Sequence, residues 1–270
     1  MIDSDLQEQF KKKYNPEGSQ LRQIQLHLVD ILKEIDRVCK KNDIVYWIDF
    51  GTLLGAVRHR GFVPWDDDLD IGIFRKDFNK FRDCMIRDLQ PPFALHAHGL
   101  TPGHNITFMR VVNEKFCVSR RYDKNHHPIY ENAWVDVFPL DNGTLPMKKF
   151  FEATYGKCLR RIIRHTYDGK LKRAVAFLLM PLFSVMLYLS KKYCRLAHPD
   201  SYVLDYGINF PPLRIKSEIL PLTEIEFESG SFPAPTNIDS YLRRYYGDYN
   251  QIPAEENRRT HKFFDIKELE

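Results

Sequence analysis

From Gln20 onward, Leu21, Ile24, Leu28, Ile31, Ile35 and Val38 recur every three or four positions, the apolar stripe of an amphipathic helix, and Lys40, Lys41 and Asn42 close it. His27, Glu34 and Asp36 on this helix read as solvated positions. Residues 1–19 are polar, with Pro16 and Gly18 near their end, and read as a loose lead-in. Ile44 to Ile48 is apolar and β-branched at both ends, a buried strand. Gly51 breaks it, and residues 52–57 read as a short helix that starts at a Gly-Thr turn with Thr52 as its cap.

Arg58, His59 and Arg60 fall in the next loop, followed by the run DDDLDIGIF over residues 66–74. Leu69, Ile71 and Ile73 alternate there with Asp68, Asp70 and Gly72, which predicts a strand with one apolar face. Phe74, Phe78, Phe81, Met85 and Leu89 are helix-spaced and read as core, and Pro91-Pro92 ends that run. Phe108 to Val112 and Lys115 to Ser119 predict a strand pair joined at Asn113-Glu114. Trp134 to Phe138 alternates again, closed by Pro139, with Asp141 as a turn residue.

Past Pro146 the pattern becomes helical, and residues 174–190 carry no charge for seventeen positions. As a helix that run is about 25 Å long, short for a bilayer, and Pro181 interrupts it. A buried helical hairpin is the first reading; an interfacial element on an anionic membrane, with basic flanks as anchors, is the second, and a true span the third. Prolines fill residues 200–237, and Thr236 to Tyr246 predicts a last helix with Ile238, Tyr241, Leu242 and Tyr245 inward and Gly247 as its stop. The fold class is therefore α+β with a mixed sheet. Its parts are a lead-in at 1–19, a core at 20–145, a basic and apolar helical region at 146–200, and a C-terminal helical and loop part at 201–270 that packs on the core.

Composition narrows the function classes. A chain of 270 residues with 43% apolar and 28% charged content is an ordinary globular protein with room for a proper core. A net charge of +4 is too small to imply nucleic-acid binding. The basic excess is local: Lys157, Arg160, Arg161, Arg164, Lys170, Lys172 and Arg173 crowd together with only Asp168 opposing them. The five cysteines are scattered without a CxxC pair, against both a zinc cluster and a disulfide framework. The start MIDSDLQEQF lacks the features of a signal peptide, so a cytoplasmic setting is expected, peripheral at the inner face of the membrane if the basic region touches lipid.

The chemistry concentrates between Tyr46 and Phe74. On a strand, Asp68 and Asp70 share one face about 7 Å apart. Two carboxylates so placed can jointly hold Mg²⁺, or Mn²⁺, and leave coordination positions for phosphate oxygens. Asp66 is a candidate further ligand, and it or Asp67 could equally be solvated. An Asp in the middle of the apolar strand 134–138 is costly unless paired or metal-bound, which makes Asp136 the third carboxylate. The turn at Gly51, Thr52 and Leu53 offers backbone N–H groups at a helix start, and Arg58, His59 and Arg60 add basic side chains. Arg110 either reaches a phosphate or pairs with a carboxylate. Arg258, Arg259 and His261 near the end are weaker phosphate contacts. DDDLD also matches the DDxxD pattern of helical terpenoid synthases, but the β-branched residues after it favour a strand. An EF-hand loop fails because Ile71 stands where glycine is required and Asp77 where glutamate is.

The segments YWIDFGTLLGAVRHRGFVPWDDDLDIGI and AWVDVFPLD, and more loosely FPAPTNIDSYLRRYYGDY, resemble the LicD family, whose members transfer phosphocholine from CDP-choline to cell-surface glycans and whose relatives include the fukutin-related proteins. The family is similar to the nucleotidyltransferase superfamily, in which a Gly-Ser/Thr turn, a DxD strand and a third Asp bind metal and nucleotide. The resemblance implies that Gly51 and Thr52 form the turn, Asp68 and Asp70 the DxD pair, and Asp136 the third carboxylate, which either positions a second metal or accepts the acceptor's proton. It implies Mg²⁺, a CDP-choline or related CDP-alcohol donor, and a glycan or lipid-linked glycan acceptor of teichoic acid or lipopolysaccharide type. Transfer of another CDP-linked polyol phosphate, or of a nucleotide, at the same site is the alternative enzyme, and a membrane-surface binding protein using residues 157–195 is the non-enzymatic one. The zinc-binding cysteines of fukutin-related proteins have no suitably spaced counterpart here.

Overall fold

The computed structural model of the protein describes residues 3–104, 106–123, 125–163, 170–205, 212–258 and 265–269. In chain order the elements are α1 (Ser4–Tyr14), α2 (Gln20–Lys41), β1 (Tyr46–Ile48), α3 (Phe50–His59), β2 (Asp70–Phe74), α4 (Arg75–Asp88) and β3 (Phe93–His96). Then follow β4 (Met109–Tyr122), β5 (Pro128–Asn142), α5 (Leu145–Phe151), a π-helical turn (Glu152–Gly156), α6 (Lys157–Ile163), α7 (Lys170–Ala197), β6 (Ser201–Leu204) and β7 (Arg214–Ile215). The chain ends with α8 (Lys216–Ile219), β8 (Thr223–Phe227), β9 (Gly230–Ala234), α9 (Ile238–Tyr246), a 3₁₀ turn (Glu255–Asn257) and β10 (Asp265–Glu268). This is the expected α+β mixture.

The main sheet runs β1-β2-β5-β4-β10, with β3 added on β4, β6 on β5 and β7 on β6, while β8 and β9 form a separate hairpin. β2 and β5 are parallel; β1–β2, β4–β5, β4–β10, β3–β4, β5–β6 and β6–β7 are antiparallel. The sheet is closed on one face by α2, whose predicted stripe is buried from Leu21 to Val38. Alternation along β1 shows the two sides. Tyr46 turns to α2 and donates its hydroxyl to Asp36, whereas Trp47 turns to α9 and donates Nε1 to the Tyr241 hydroxyl. Trp47 lies so close over Gly72 that a Cβ there would sit 2.6 Å from the indole, so only glycine lets β1 and β2 pair at that point.

Several expectations from the sequence are corrected. Residues 4–14 are a helix rather than a loose lead-in: Asp3 caps it, and Phe10 is buried edge-on against Trp65. Glu34 and Asp36 are not merely solvated, since Glu34 holds Arg37 and the Gln90 N–H and Asp36 holds Tyr46; His27 stacks on Phe116. α3 begins at Phe50 because Asp49 caps it, and so Arg58 and His59 belong to the helix and not to a loop. Asn113-Glu114 is no hairpin: β4 runs straight through it, with a register shift against β5 between Asn113 and Cys117 that absorbs the extra residues. β5 continues past Pro139, whose missing N–H is tolerated where Phe138–Leu140 lie beside parallel β2, and whose carbonyl still accepts from Asp205 N. Asp141 is therefore a buried strand residue, ion-paired with Arg75 and Lys191, and not a turn residue.

α7 is one helix of 28 residues with Pro181 inside it, not a buried hairpin. Proline removes one helical hydrogen bond, but residues 174–190 hold no Gly, Asn or Asp with which to reverse the chain. Of the basic cluster, Arg164 and Asp168 and the side chains of Arg160, Arg161, Lys170 and Arg173 lie outside the described residues, as do Arg259 and His261. All five cysteines are free and buried.

Candidate functional site

The site is built where β1 ends and β2 begins. Asp49 leaves β1 with its backbone N–H on the Asp70 carbonyl and its Oδ1 on the Phe50 N–H, and so starts α3. Thr52, one turn into that helix, accepts the Asp70 N–H on its Oγ1 at 2.9 Å. The predicted Gly-Thr turn thus locks the first residue of the DxD strand by its hydroxyl. Phe50 takes φ +46°, a left-handed conformation that costs a bulky residue about 1–3 kcal/mol, and this turns its ring into the cavity above the strand.

That cavity, about 220 Å³, is lined by Gly51, Asp66, Asp68 and Asp70 below and by Phe50, Phe138, Tyr245 and Tyr246 around its sides. Gly51 lies in close approach to Asp66: a Cβ on it would meet Asp66 Oδ2 at 2.7 Å and displace that carboxylate. A second cavity of about 330 Å³ shares Gly51, Asp66 and Tyr246 with the first and extends past Trp65, Arg58 and Tyr249 to Gln251 and Asn257. The two lobes together suit a ligand the size of a nucleoside diphosphate conjugate. A larger cavity of about 770 Å³ lies elsewhere, beside His27, Glu34, Arg37 and Phe116, and contains none of the residues predicted to bind metal or phosphate.

Asp136 does not line the small cavity but stands next to it, as the parallel-strand partner of Asp70. Arg110 is the antiparallel partner of Asp136 on the other side and bonds it through Nε at 2.8 Å, its guanidinium stacked 4.0 Å from the Trp134 ring. Asp70, Asp136 and Arg110 therefore form a row across β2, β5 and β4. Of its two readings, Arg110 takes the carboxylate pairing.

The cluster carries more negative charge than the protein offsets. Burial, then the charges of Asp68, Asp136 and Asp66, push the Asp70 carboxyl well above the usual range. Burial and the Asp68 carboxylate, which also shares a hydrogen bond with it, do the same to Asp66. Burial raises Asp136 despite Arg110. Hard oxygen donors in a low-dielectric pocket with unbalanced charge are the setting a divalent cation suits, and Asp66, Asp68, Asp70 and Asp136 supply them. Among the described residues no three acidic, His or Cys side chains converge tightly enough to chelate one ion as they stand. The fit is thus one of donor type and charge.

The other predicted residues scatter. Asp66 belongs to the cavity, whereas Asp67 is fully buried and not solvated. Leu53 contributes no free N–H: it donates to the Asp49 carbonyl, and its side chain is core. Arg58 is buried, with Nη1 on the Tyr249 and Gln251 carbonyls, and lines the second lobe, where its Nε has no partner. His59 is buried between Gln7 and Trp65, and burial brings its pKa down to about 3, so it is neutral and no phosphate cation. Arg60 is the exposed left-handed cap of α3 and lines neither lobe. Arg258 stacks over Phe10 and Trp65, a structural position.

Sequence reasoning missed the walls and the frame. Phe50 and Phe138 stood in the quoted motifs without a role, and Tyr246 was passed over beside Tyr245. The frame is a buried network in which Asp49 Oδ1 accepts from Arg214 at 3.1 Å and Oδ2 from the Tyr241 hydroxyl at 2.9 Å. Arg214, only 1% exposed, lies 4.1 Å from the Tyr241 ring centroid and 5.2 Å from that of Phe50. The signal available was Asp49 itself, a carboxylate between an apolar strand and an apolar helix start.

Residues 43–159 match the family model described as LicD/FKTN/FKRP, nucleotidyltransferase domain. The chain is 23% identical over 253 residues to the lipopolysaccharide cholinephosphotransferase LicD of Haemophilus influenzae, covering 89% of this chain and 95% of that protein. It is 36% identical over 129 residues to an uncharacterized protein of Rickettsia typhi, covering 46% of this chain and 39% of that one. A stretch of 32 residues is 53% identical to the human ribitol 5-phosphate transferase FKRP, which is 12% of this chain and 6% of FKRP.

Proposed function

With its LicD-family domain across residues 43–159, the protein is a LicD-type transferase of phosphorus-containing groups, and we propose that it moves phosphocholine from CDP-choline to a sugar hydroxyl of a cell-surface glycan precursor. The observation that carries this reading is the juxtaposition of three carboxylates with four aromatic rings in one small cavity. The carboxylates suit a cation bridging a diphosphate. The rings of Phe50, Phe138, Tyr245 and Tyr246 suit a quaternary ammonium, which binds aromatic faces and needs no hydrogen-bond donor. A ribitol phosphate head group, as carried by the FKRP relative's named reaction, would ask for polar partners along its chain of hydroxyls instead.

The acceptor hydroxyl attacks the phosphorus that bears choline, the bond from that phosphorus to the CMP oxygen breaks, and CMP leaves with the electron pair. The hydroxyl proton passes to Asp136, whose carboxyl is pushed upward by burial and is held in place by Arg110. The open end of α3 at Gly51 and the buried Arg58 guanidinium face the lobes that take the diphosphate and the CMP portion. Asp66, Asp68 and Asp70 would hold Mg²⁺ or Mn²⁺, which would supply positive charge against the diphosphate and the departing CMP. The rest is alignment.

The test is CMP release from a panel of CDP-choline, CDP-glycerol and CDP-ribitol with Mg²⁺ and a glycan acceptor. Turnover of CDP-choline, abolished by Asp68→Asn and Asp70→Asn and weakened about tenfold or more in KM by Tyr245→Leu, supports the reading. Preference for a polyol donor, or full rate in the Asp68→Asn, Asp70→Asn protein, overturns it.

A further inference from the structure

α7 carries two stripes along its 28 residues. Ala176, Met180, Phe183, Leu187, Lys191 and Cys194 are buried or half-buried and face the protein. Leu187 sits in a small cluster with Phe151 and Val203, Cys194 Sγ lies 3.1 Å from Met147 Sδ, and Lys191 Nζ bonds Asp141 at 2.8 Å. These positions are spaced by four and three residues, so the contact runs the whole length of the helix. Two residues further along from each, at about 200° around the axis, lies the opposite face. It holds Leu178 at 82% exposure, Leu182, Val185, Leu189, and Leu196 at 81%. A stripe of bare leucine and valine this long, about 27 Å from Leu178 to Leu196, has no role in a water-facing helix.

We propose that this face lies in the plane of an anionic bilayer, embedded to the depth of the headgroup boundary. Three features select this occupant. The apolar stripe is bordered by exposed Tyr188 and Tyr193, whose rings suit the interface between headgroups and acyl chains. Basic side chains stand exposed at its two ends, Lys172 at one and Lys192 and Arg195 at the other, where anionic headgroups would meet them. Although the segment Ala174–Ala197 is long and apolar enough to cross a membrane, a helix fixed along its full length to α5, α6 and β5 cannot cross without drawing those elements into the hydrocarbon. It lies on the membrane and does not pass through it. Lys191 ties the helix to Asp141, five residues beyond Asp136 on β5, or about 16 Å along the strand. Docking therefore brings the cavity near the bilayer, within reach of an acceptor built on a lipid, although the docking itself stands apart from the reaction proposed for the cavity.

The experiment is co-sedimentation of the full chain with vesicles of phosphatidylcholine alone and of phosphatidylcholine with 30% phosphatidylglycerol, for the wild type and for Leu182→Glu, Leu189→Glu. The expected result is binding to the anionic vesicles, reduced at least tenfold for neutral vesicles, in high salt, or by the double substitution, and release of the bound wild type by alkaline carbonate. Both substituted positions are exposed, so the variant keeps the wild-type melting temperature and its CMP release on a soluble acceptor. Binding that survives the substitutions, absence of binding, or resistance to carbonate extraction overturns the proposal. So does a wild-type dimer in solution that the substitutions convert to monomer. An Asp68→Asn, Asp70→Asn protein that still sediments separates a failed docking surface from a failed active site.

Discussion

Asp70 and Asp136 are direct register partners on the two parallel strands at the centre of the sheet, about 4.8 Å apart along the hydrogen-bonding direction. Paired residues of adjacent strands point to the same side, so neither carboxylate escapes the other. The backbone holds two like charges together against their mutual repulsion, which Arg110 offsets on the Asp136 side only.

This relationship sets a pH dependence. Asp66, Asp70 and Asp136 all have folded-state pKa values raised above the unfolded carboxylate value of about 3.9. The stability they confer is complete below that value and is lost as pH rises through their folded values. Asp70→Asn removes one such group, so its melting temperature relative to wild type should climb from pH 4 to pH 8 in EDTA, while its transferase rate falls about 10²–10³-fold. Adding Mg²⁺ at about 100 times its Kd should stabilise the wild type by ~2.7 kcal/mol at neutral pH and the variant by less. A melting-temperature difference that is flat with pH would refute the charge account.

Gly51→Ala should damage activity far more than the fold. Its Cβ would meet Asp66 Oδ2 at 2.7 Å, and the carboxylate is the part free to move. The expected outcome is a tenfold or greater loss in kcat/KM, with a change in melting temperature of a few degrees at most. Equal losses in both would mean that the helix start itself has failed.

Arg110→Ala tests the proton-accepting role of Asp136. The guanidinium is the largest influence holding that carboxyl down against burial, so its removal raises the Asp136 pKa further. A base must be ionised, and the acidic limb of the rate profile should therefore move to higher pH. An unmoved limb in a protein that has merely slowed would assign Arg110 to positioning alone.

Arg214→Met leaves the Asp49 carboxylate buried with its ion-pair partner removed. Both groups are essentially inaccessible, with side chains 1% and 0% exposed, so about 3–5 kcal/mol should be lost, measured by urea unfolding. Lys13→Met breaks a pair with Glu255 that is 50% and 63% exposed and screened by water, so its urea midpoint should stay close to that of the wild type. Similar costs for the two would remove Asp49–Arg214 from the frame of the site.

Asp70 was legible in the sequence because strand periodicity is strict: Ile71 and Ile73 could not both be buried without setting Asp70 on the other face, whereas Asp68 lies ahead of β2, not on it as alternation predicted, and reaches the same cavity from that preceding segment. Asp136 followed from the cost of burying a charge. The donors around them were less legible, since the helix was predicted two residues short at each end. Ending it at Val57 put Arg58 and His59 in a loop, where a basic side chain would be exposed and charged; inside α3 the same His59 is buried and neutral. The walls were hidden for another reason. Tyr245 and Tyr246 reach Phe50 and Phe138 from nearly two hundred and about one hundred residues away, and no local pattern encodes that meeting. At β4, β5 and α7 the punctuating residues Asn113-Glu114, Pro139 and Pro181 were read as breaks, and tertiary pairing carried each element through them.

The network around Asp49 also bears on how the protein can be divided. The family-matched residues end at 159, yet Arg214, Tyr241, Tyr245 and Tyr246 come from beyond them. A polypeptide trimmed to 43–159 would keep every carboxylate of the cluster and lose half of the aromatic wall, together with the Arg214 guanidinium that neutralises Asp49 and the Tyr241 hydroxyl that bonds it. The recognisable motif is thus not a transplantable module: excised, it would be an acidic pocket open to water on one side, with a stranded charge beneath it.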